Sequence, residues 1–404
     1  MTEEADQPVL APARRRSLPA LAVLLLALLC LGAVSQLLQQ RYTQRLHDHF
    51  EADSARIAAS IRWHMTAYTQ ILRGAAGLFA ASQEVRRNEW QRYVEHLGLD
   101  EVYDGIQGVG FAQLIRPEQL DAHQQEIRSQ GFPDYLVIPR GERPVYSSIV
   151  YLEPFSGRNL RAFGFDMFAE PVRRAAMERA RDSGLVAISG KVRLVQESDT
   201  NVQAGVLAYY PVYANDALPR TPEQRSAALL GWVYSPYRMN DLVAGMIKEE
   251  LRGLRLEIFD DGERLDSDAL LYDSQPGSAA AGDAPEFASL ERFEFGGRTW
   301  TLRFTSLPGF AARAAFAAPW AEFGAILLIG VLLSAIVWVL IGTQRRAERI
   351  ATSMTASLRE SREKFRTIFE QAAIGIAQFD PENRRFLRVN RRLCQLLGYS
   401  RSEL

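Results

Sequence analysis

Two apolar runs divide the chain. Leu18–Val34 is almost unbroken and extends to Leu38, and Trp320–Ile341 holds the uncharged stretch FGAILLIGVLLSAIVWVLI. A helix needs about 17–25 such residues to cross hydrocarbon. The pattern therefore predicts transmembrane helices over 18–38 and 320–342, after a polar tail over 1–17. Ala33-Val34-Ser35 could also pass for a signal-peptide processing site, but the length of the run and the helical pattern beyond it favour an uncleaved span. From 39 to 84 the apolar positions Leu46, Phe50, Ile57, Ile61, Tyr68, Leu72, Ala75 and Phe79 recur at helical steps, interrupted at Asp53. They mark one face of a long stalk helix, suited to pairing with a second copy or to packing on its own domain.

Beyond residue 85 the period changes to short strands and helices. A distal unit over 85–215 reads as helix 88–97, strand 106–115, helix 117–130, strands 135–138, 145–152 and 160–165, helix 171–181, and strands 185–189 and 204–212. Pro171 suits a first helical position, and Gly184 a C-cap. Val172, Ala175, Ala176, Arg179 and Ala180 give that helix a small-residue packing face. A membrane-proximal unit over 216–307 reads as strand 228–234, helix 236–250, strands 254–259, 270–272, 287–295 and 298–306, with a plain hairpin turn at Phe295–Arg298. The alanine-rich connector 308–319 favours a short ordered helix. A signalling helix over 343–363 follows the second span, its seam of Ala351, Met354, Leu358, Ser361, Phe365, Ile368 and Ala372 suggesting a parallel homodimer. The expected class is α+β and membrane-anchored, with two antiparallel-sheet units outside.

Charge fixes the orientation. Arg14–Arg16 precede the first span, and Arg345, Arg346 and Arg349 follow the second. Basic flanks stay in the cytoplasm, so both termini are expected inside and residues from about 39 to 318 outside. With 47 basic against 48 acidic residues there is no excess for binding nucleic acid. The only cysteines are Cys30 and Cys394, so the outer region is expected to be free of disulfides. No HExxH, GxSxG or paired nucleophile and base occurs, so no catalytic residue, metal or cofactor is expected. His47 and His49 do not share a helix face, and His64, His96 and His123 read as ordinary polar residues. Gly105, Gly108 and Gly110 lack the dinucleotide spacing and suggest a bulge or close strand packing. Asp260-Asp261-Gly262-Glu263 lacks calcium-loop spacing and reads as a solvated turn.

Five segments together carry a resemblance: GIQGVGFAQLI (Gly105–Ile115), YLEPFSGRN (Tyr151–Asn159), GFDMFAEPVRRAAMERARDSG (Gly164–Gly184), VRLVQE (Val192–Glu197) and GVLAYYPVY (Gly205–Tyr213). In order and spacing they resemble the CHASE domain, an extracytoplasmic sensor of PAS-like fold found on histidine kinases and nucleotide cyclases. The resemblance implies that Asp166 holds the adenine-like ring of a ligand, as the matching acid does in plant cytokinin receptors. It implies that Ile188, or its neighbour, offers backbone groups to that ligand. Phe163, Phe165 and Tyr209 complete the expected lining. From the residues alone, Asp166 equally suits ordering the turn before Glu170-Pro171.

From 364 onward, FRTIFEQAAIGIAQFD and FLRVNRRLCQLLGYSRSEL resemble the first half of a cytoplasmic PAS domain, marked by Gly375, Asp380, Asn390, Gly398 and Tyr399. The implied protein is a multi-pass receptor of the bacterial inner (plasma) membrane. It senses a periplasmic small molecule and drives a missing output domain, in a two-component system or a cyclic di-GMP enzyme. The other functions weighed are a scaffold whose outer domain binds a protein partner, and an ectoenzyme.

Overall fold

The computed structural model describes residues 18–99, 105–197, 202–215, 217, 219–247, 250–251, 253–276, 285–313, 320–383 and 385–404. They fall into one unit over 42–317 and another made of 1–41 with 318–404. Helix α1 (Leu18–Ala81) carries the first apolar run into the stalk without a break. The periodic residues Leu46, Phe50, Ile57, Ile61, Tyr68, Leu72 and Ala75 are buried. Most of them share one core with Val109, Phe111, Val206, Val233, Leu256, Trp300 and Phe304. That stripe is therefore covered by the chain's own sheets, the second of its two expected uses.

After α2 (Arg87–Leu97) come β1 (Val109–Ile115), α3 (Leu120–Ser129), β2 (Tyr146–Glu153), α4 (Pro171–Ser183), β3 (Ala187–Ile188), β4 (Gly205–Tyr213), α5 (Pro222–Ala228) and β5 (Leu229–Arg238). The five strands form one antiparallel sheet in the order β2-β1-β5-β4-β3. Here the structure departs from the sequence pattern. The strand expected to open the proximal unit is β5, which pairs with both β1 and β4 in the distal sheet. Nine of its ten residues are buried, as a central strand requires. Pro236, expected to start a helix, lies inside β5, and α6 spans only Met239–Met246. Pro236 has no N–H to place, and its carbonyl accepts from the Gln107 amide at 3.2 Å. The run 160–165 is not a strand. Gly157–Ala162 forms a 3-10 turn, and Phe165 and Asp166 meet Ile138 and Ser148 only through single bridges.

The proximal sheet consists of β6 (Leu254–Asp260), β7 (Leu270–Asp273), β8 (Ala288–Phe295) and β9 (Arg298–Ser306), in the order β7-β6-β9-β8. Gly296 and Gly297 turn the β8–β9 hairpin at φ 55° and 74°, the left-handed pair that a two-residue turn demands. The short helix α7 (Phe310–Arg313) follows, while 314–319 of the expected connector lie outside the described residues.

Helix α8 (Trp320–Gln371) contains the second apolar run. Among the described residues it is the one helix long and apolar enough to cross a membrane, with a mean hydropathy of 2.8 in its most apolar window. Leu327, Leu332 and Trp338 are exposed on it. Strands β10 (Ala377–Asp380) and β11 (Arg385–Val389) and helix α9 (Arg391–Leu397) complete this unit. Asn390 is fully buried there, bonding Ile376 N and Leu393 N through Oδ1 and Ile374 O through Nδ2.

Candidate functional site

The distal sheet has two faces. One packs on the stalk, and the other lies under α4. Strand register sets Leu152, Gly110, Tyr234, Tyr209 and Ala187 side by side in one row across the second face. Gly110 is required there, because a Cβ would come within 2.5 Å of the Tyr234 ring. Helix α4 covers the row with Ala176, Met177 and Ala180, and the 3-10 turn before it adds Met167 and Phe168. Glu170 caps α4 by accepting from the amides of Val172 and Arg173. The Trp232 indole N–H donates to the Met177 carbonyl at 2.9 Å and ties helix to sheet. The buried face of α4 is Arg173, Ala176, Met177 and Ala180, whereas Val172 and Ala175 of the expected face are exposed.

Two buried phenols and a buried arginine give this layer its chemistry. Tyr209 donates to the Met167 sulfur at 3.3 Å, and the Tyr234 hydroxyl has no protein partner among the described residues. Burial pushes both hydroxyls above the ordinary phenol range, against the pull of the Arg173 charge, so both remain donors. Arg173 is 4% exposed, lies over the Phe165 ring and donates to the Arg193 carbonyl.

Asp166 stands at the edge of this layer with no exposed surface. Its Oδ1 accepts from the amides of Ser147 (2.8 Å) and Phe168 (3.0 Å), and its Oδ2 from Arg143 Nη1 (3.0 Å). Burial raises the carboxyl above its usual range, opposed by those same hydrogen bonds and the Arg143 charge. The other expected residues divide. Phe165 and Tyr209 belong to the layer under α4. Phe163 instead packs at 4.9–5.2 Å against Phe132, Tyr135 and Phe155, on the stalk side of the sheet.

Ile188 points away from the layer as well. Its amide donates to the Gly296 carbonyl at 2.9 Å, and its carbonyl accepts from Arg179 Nη2 at 2.9 Å. Both backbone groups expected to meet a ligand are thus engaged, one of them by the tip of the proximal hairpin. Asp260 completes this joint. It is 4% exposed, not solvated, and binds Arg298 through both oxygens while accepting from the Lys191 amide. Sequence reading missed the joint because Asp260 and Arg298 lie on different strands, brought together at the sheet end.

Two further groups escaped the pattern. Arg87 is ringed by Phe132, Tyr151, Phe163 and Phe155 at 4.5–5.8 Å, beside a surface cleft of about 570 Å³. His123, read as an ordinary polar residue, is buried and bonded to the Tyr135 hydroxyl, which in turn bonds Ser148. Burial pushes its imidazole down to about 4. The fold therefore holds His123 neutral, while the unfolded chain takes up a proton near the ordinary pKa of about 6.5. This contribution is full above that pH and is lost as pH falls toward 4, by about 2–3 kcal/mol. His123→Gln is expected to remove that part of the slope in urea-unfolding midpoints measured from pH 7 to 4. An unchanged slope would refute the assignment.

Residues 83–272 match the CHASE domain, and residues 363–404 match a PAS domain. The first match runs past 215 through β5 and β6 into β7, in line with β5 belonging to the distal sheet. Solved structures that this chain matches include an extracellular ligand binding receptor from Desulfohalobium retbaense DSM5692 (13% identity, TM-score 0.37, covering 67% of this chain and 39% of that one). Another is the periplasmic sensory domain of the Campylobacter jejuni chemoreceptor Tlp1 (11% identity, TM-score 0.42, covering 68% of this chain and 100% of that one). The chain spans well under two thirds of the Desulfohalobium receptor. No curated protein matches it.

Proposed function

We propose that this chain, whose CHASE and PAS domains mark a signal-sensing receptor, spans the bacterial inner membrane twice and senses a small molecule in the periplasm. The observation that carries the reading is the placement of the two domains. They stand before and after the uncharged part of α8, whose apolar side chains are exposed along its length. Exposed apolar surface of that extent calls for lipid, and Arg345, Arg346 and Arg349 hold the following end in the cytoplasm.

The ligand enters the layer between α4 and the distal sheet, where a mostly apolar lining carries a few polar groups. Asp166 and Arg143 frame its edge. A ligand can shift the receptor only through unequal affinity for two arrangements. The element that differs is β3, because it touches both the layer, through Ala187, and the proximal hairpin, through Ile188. Movement of β3 pulls on Gly296 and passes along β9 to the connector and α8, in a homodimer paired through the seam beyond the membrane. The output is a histidine kinase or a cyclic di-GMP enzyme.

Thiol labelling tests the topology. In a Cys30→Ser, Cys394→Ser background, Asp268→Cys and Arg359→Cys replace exposed residues on the two sides of the span. A membrane-impermeant maleimide applied to intact spheroplasts is expected to label the first and to reach the second only after lysis. Equal labelling of both in intact cells would defeat the proposal.

A further inference from the structure

We propose that the ligand of the layer under α4 is a carboxylic acid, held through its carboxylate by Arg173 with the Tyr234 hydroxyl beside it. The inference rests on the reading of that layer as the sensing site and names the chemistry it accepts.

Several arginines drawn wholly or partly into the fold already have a carboxylate. Arg143 is spent on Asp166, Arg238 on Glu197 and Asp241, Arg298 on Asp260, and Arg303 on Glu257. Arg173 is as buried as any of these, yet no carboxylate pairs with it among the described residues. Its Nη2 reaches only a backbone carbonyl, and its Nε has no protein partner. The acids nearest in sequence are committed elsewhere. Glu170 caps the helix with both oxygens, and Asp166 uses both of its own. A desolvated guanidinium in this state favours an incoming anion, and its planar N–H edge suits a carboxylate.

The groups around it have the matching polarity. The Tyr234 hydroxyl is buried and unpartnered, and Tyr209 beside it, with ring centroids 6.3 Å apart, bonds only a thioether sulfur. The layer thus offers hydrogen-bond donors, while the nearby carboxylates of Asp166 and Glu170, which would pair with an amino group, are engaged. One cation with neutral phenols matches a single negative charge better than the double charge of a phosphate. The rest of the lining is Trp232, Phe168, Leu207, Met167 and Met177, which suits an aryl or alkyl body. Methionines can repack to admit one.

The test uses the full chain in nanodiscs and reads thermal midpoints with benzoate, phenylacetate, indole-3-acetate and hexanoate, their primary amides, and adenine. At least one acid is expected to raise the midpoint in a concentration-dependent way, with its amide at least tenfold weaker. Arg173→Gln is expected to weaken that acid at least tenfold while leaving the unliganded midpoint unchanged or raised. Removing an uncompensated buried charge stabilises, whereas loss of a purely structural arginine would lower it. Tyr234→Phe is expected to weaken the acid to a smaller extent. An acid response that survives in Arg173→Gln overturns the assignment. A response to adenine with none to the acids overturns it too, but leaves the sensing reading standing. No response to any probe overturns both.

Discussion

Asp166→Ala is expected to destabilise the distal domain by about 3–5 kcal/mol, the cost of removing one partner from a buried ion pair. The Asp166 carboxylate serves three donors at once, the amides of Ser147 and Phe168 and the Arg143 guanidinium. Alanine would leave two buried N–H groups unpaired and the Arg143 guanidinium without its carboxylate, where Asp166 is bridged to Ser148 of β2. Asp166→Asn keeps the acceptor facing the amides and loses the charge facing Arg143, so about 1.5–3 kcal/mol is expected. Urea unfolding followed by tryptophan fluorescence measures both, and a cycle with Arg143→Ala isolates the pair. If Asp166→Ala costs under about 1 kcal/mol, the network does not hold the domain together. Loss of ligand binding in the alanine variant alone would say nothing about contact with the ligand, and Asp166→Asn is the variant that separates the two roles.

Local features were legible in the sequence to the extent that they are decided locally. The stalk stripe from Leu46 to Ala75, the start of α4 at Pro171 and its end at left-handed Gly184 follow from periodicity and capping alone. The strand β5 was legible as a strand but not as a member of the distal sheet. Its partners β1 and β4 are chosen by long-range burial on both faces, which no local pattern records. Pro236 reads like Pro171, and only pairing shows that its missing N–H falls where none is needed. The same holds for the site. Asp166, Phe165 and Tyr209 were named from the resemblance, and the structure places Phe165 and Tyr209 in one layer with Asp166 at its edge. The burial of Arg173 was missed because an arginine in an amphipathic helix ordinarily marks the solvent side. Its burial follows from the rotation of α4, which Glu170 and Trp232 fix. Asp260 was misread for want of Arg298, 38 residues away.

Inserting a flexible Gly-Ser stretch after Phe310 in the full-length receptor is expected to abolish the ligand-dependent change in output while leaving ligand affinity intact. Phe310 is 3% exposed and packs edge-on against Phe50 of α1 at 5.8 Å and against Phe287 at 6.1 Å. Leu307 N donates to the Gly253 carbonyl just before it. The chain therefore leaves β9 pinned to both the stalk and the proximal sheet, and a push along β9 has no slack to absorb it before Phe310. Beyond that point a stiff connector would deliver the push to α8, and a slack tether would dissipate it. Allosteric coupling is typically worth about 1–3 kcal/mol, a 5- to 150-fold change in the linked equilibrium, and the insertion should return that factor to about one. Phe310→Ala is the complementary change, since it loosens the pin without lengthening the chain, and it should reduce the response in part. A response of full amplitude after the insertion would make the connector a tether. The signal would then have to leave through α1, whose buried stripe shares the same core.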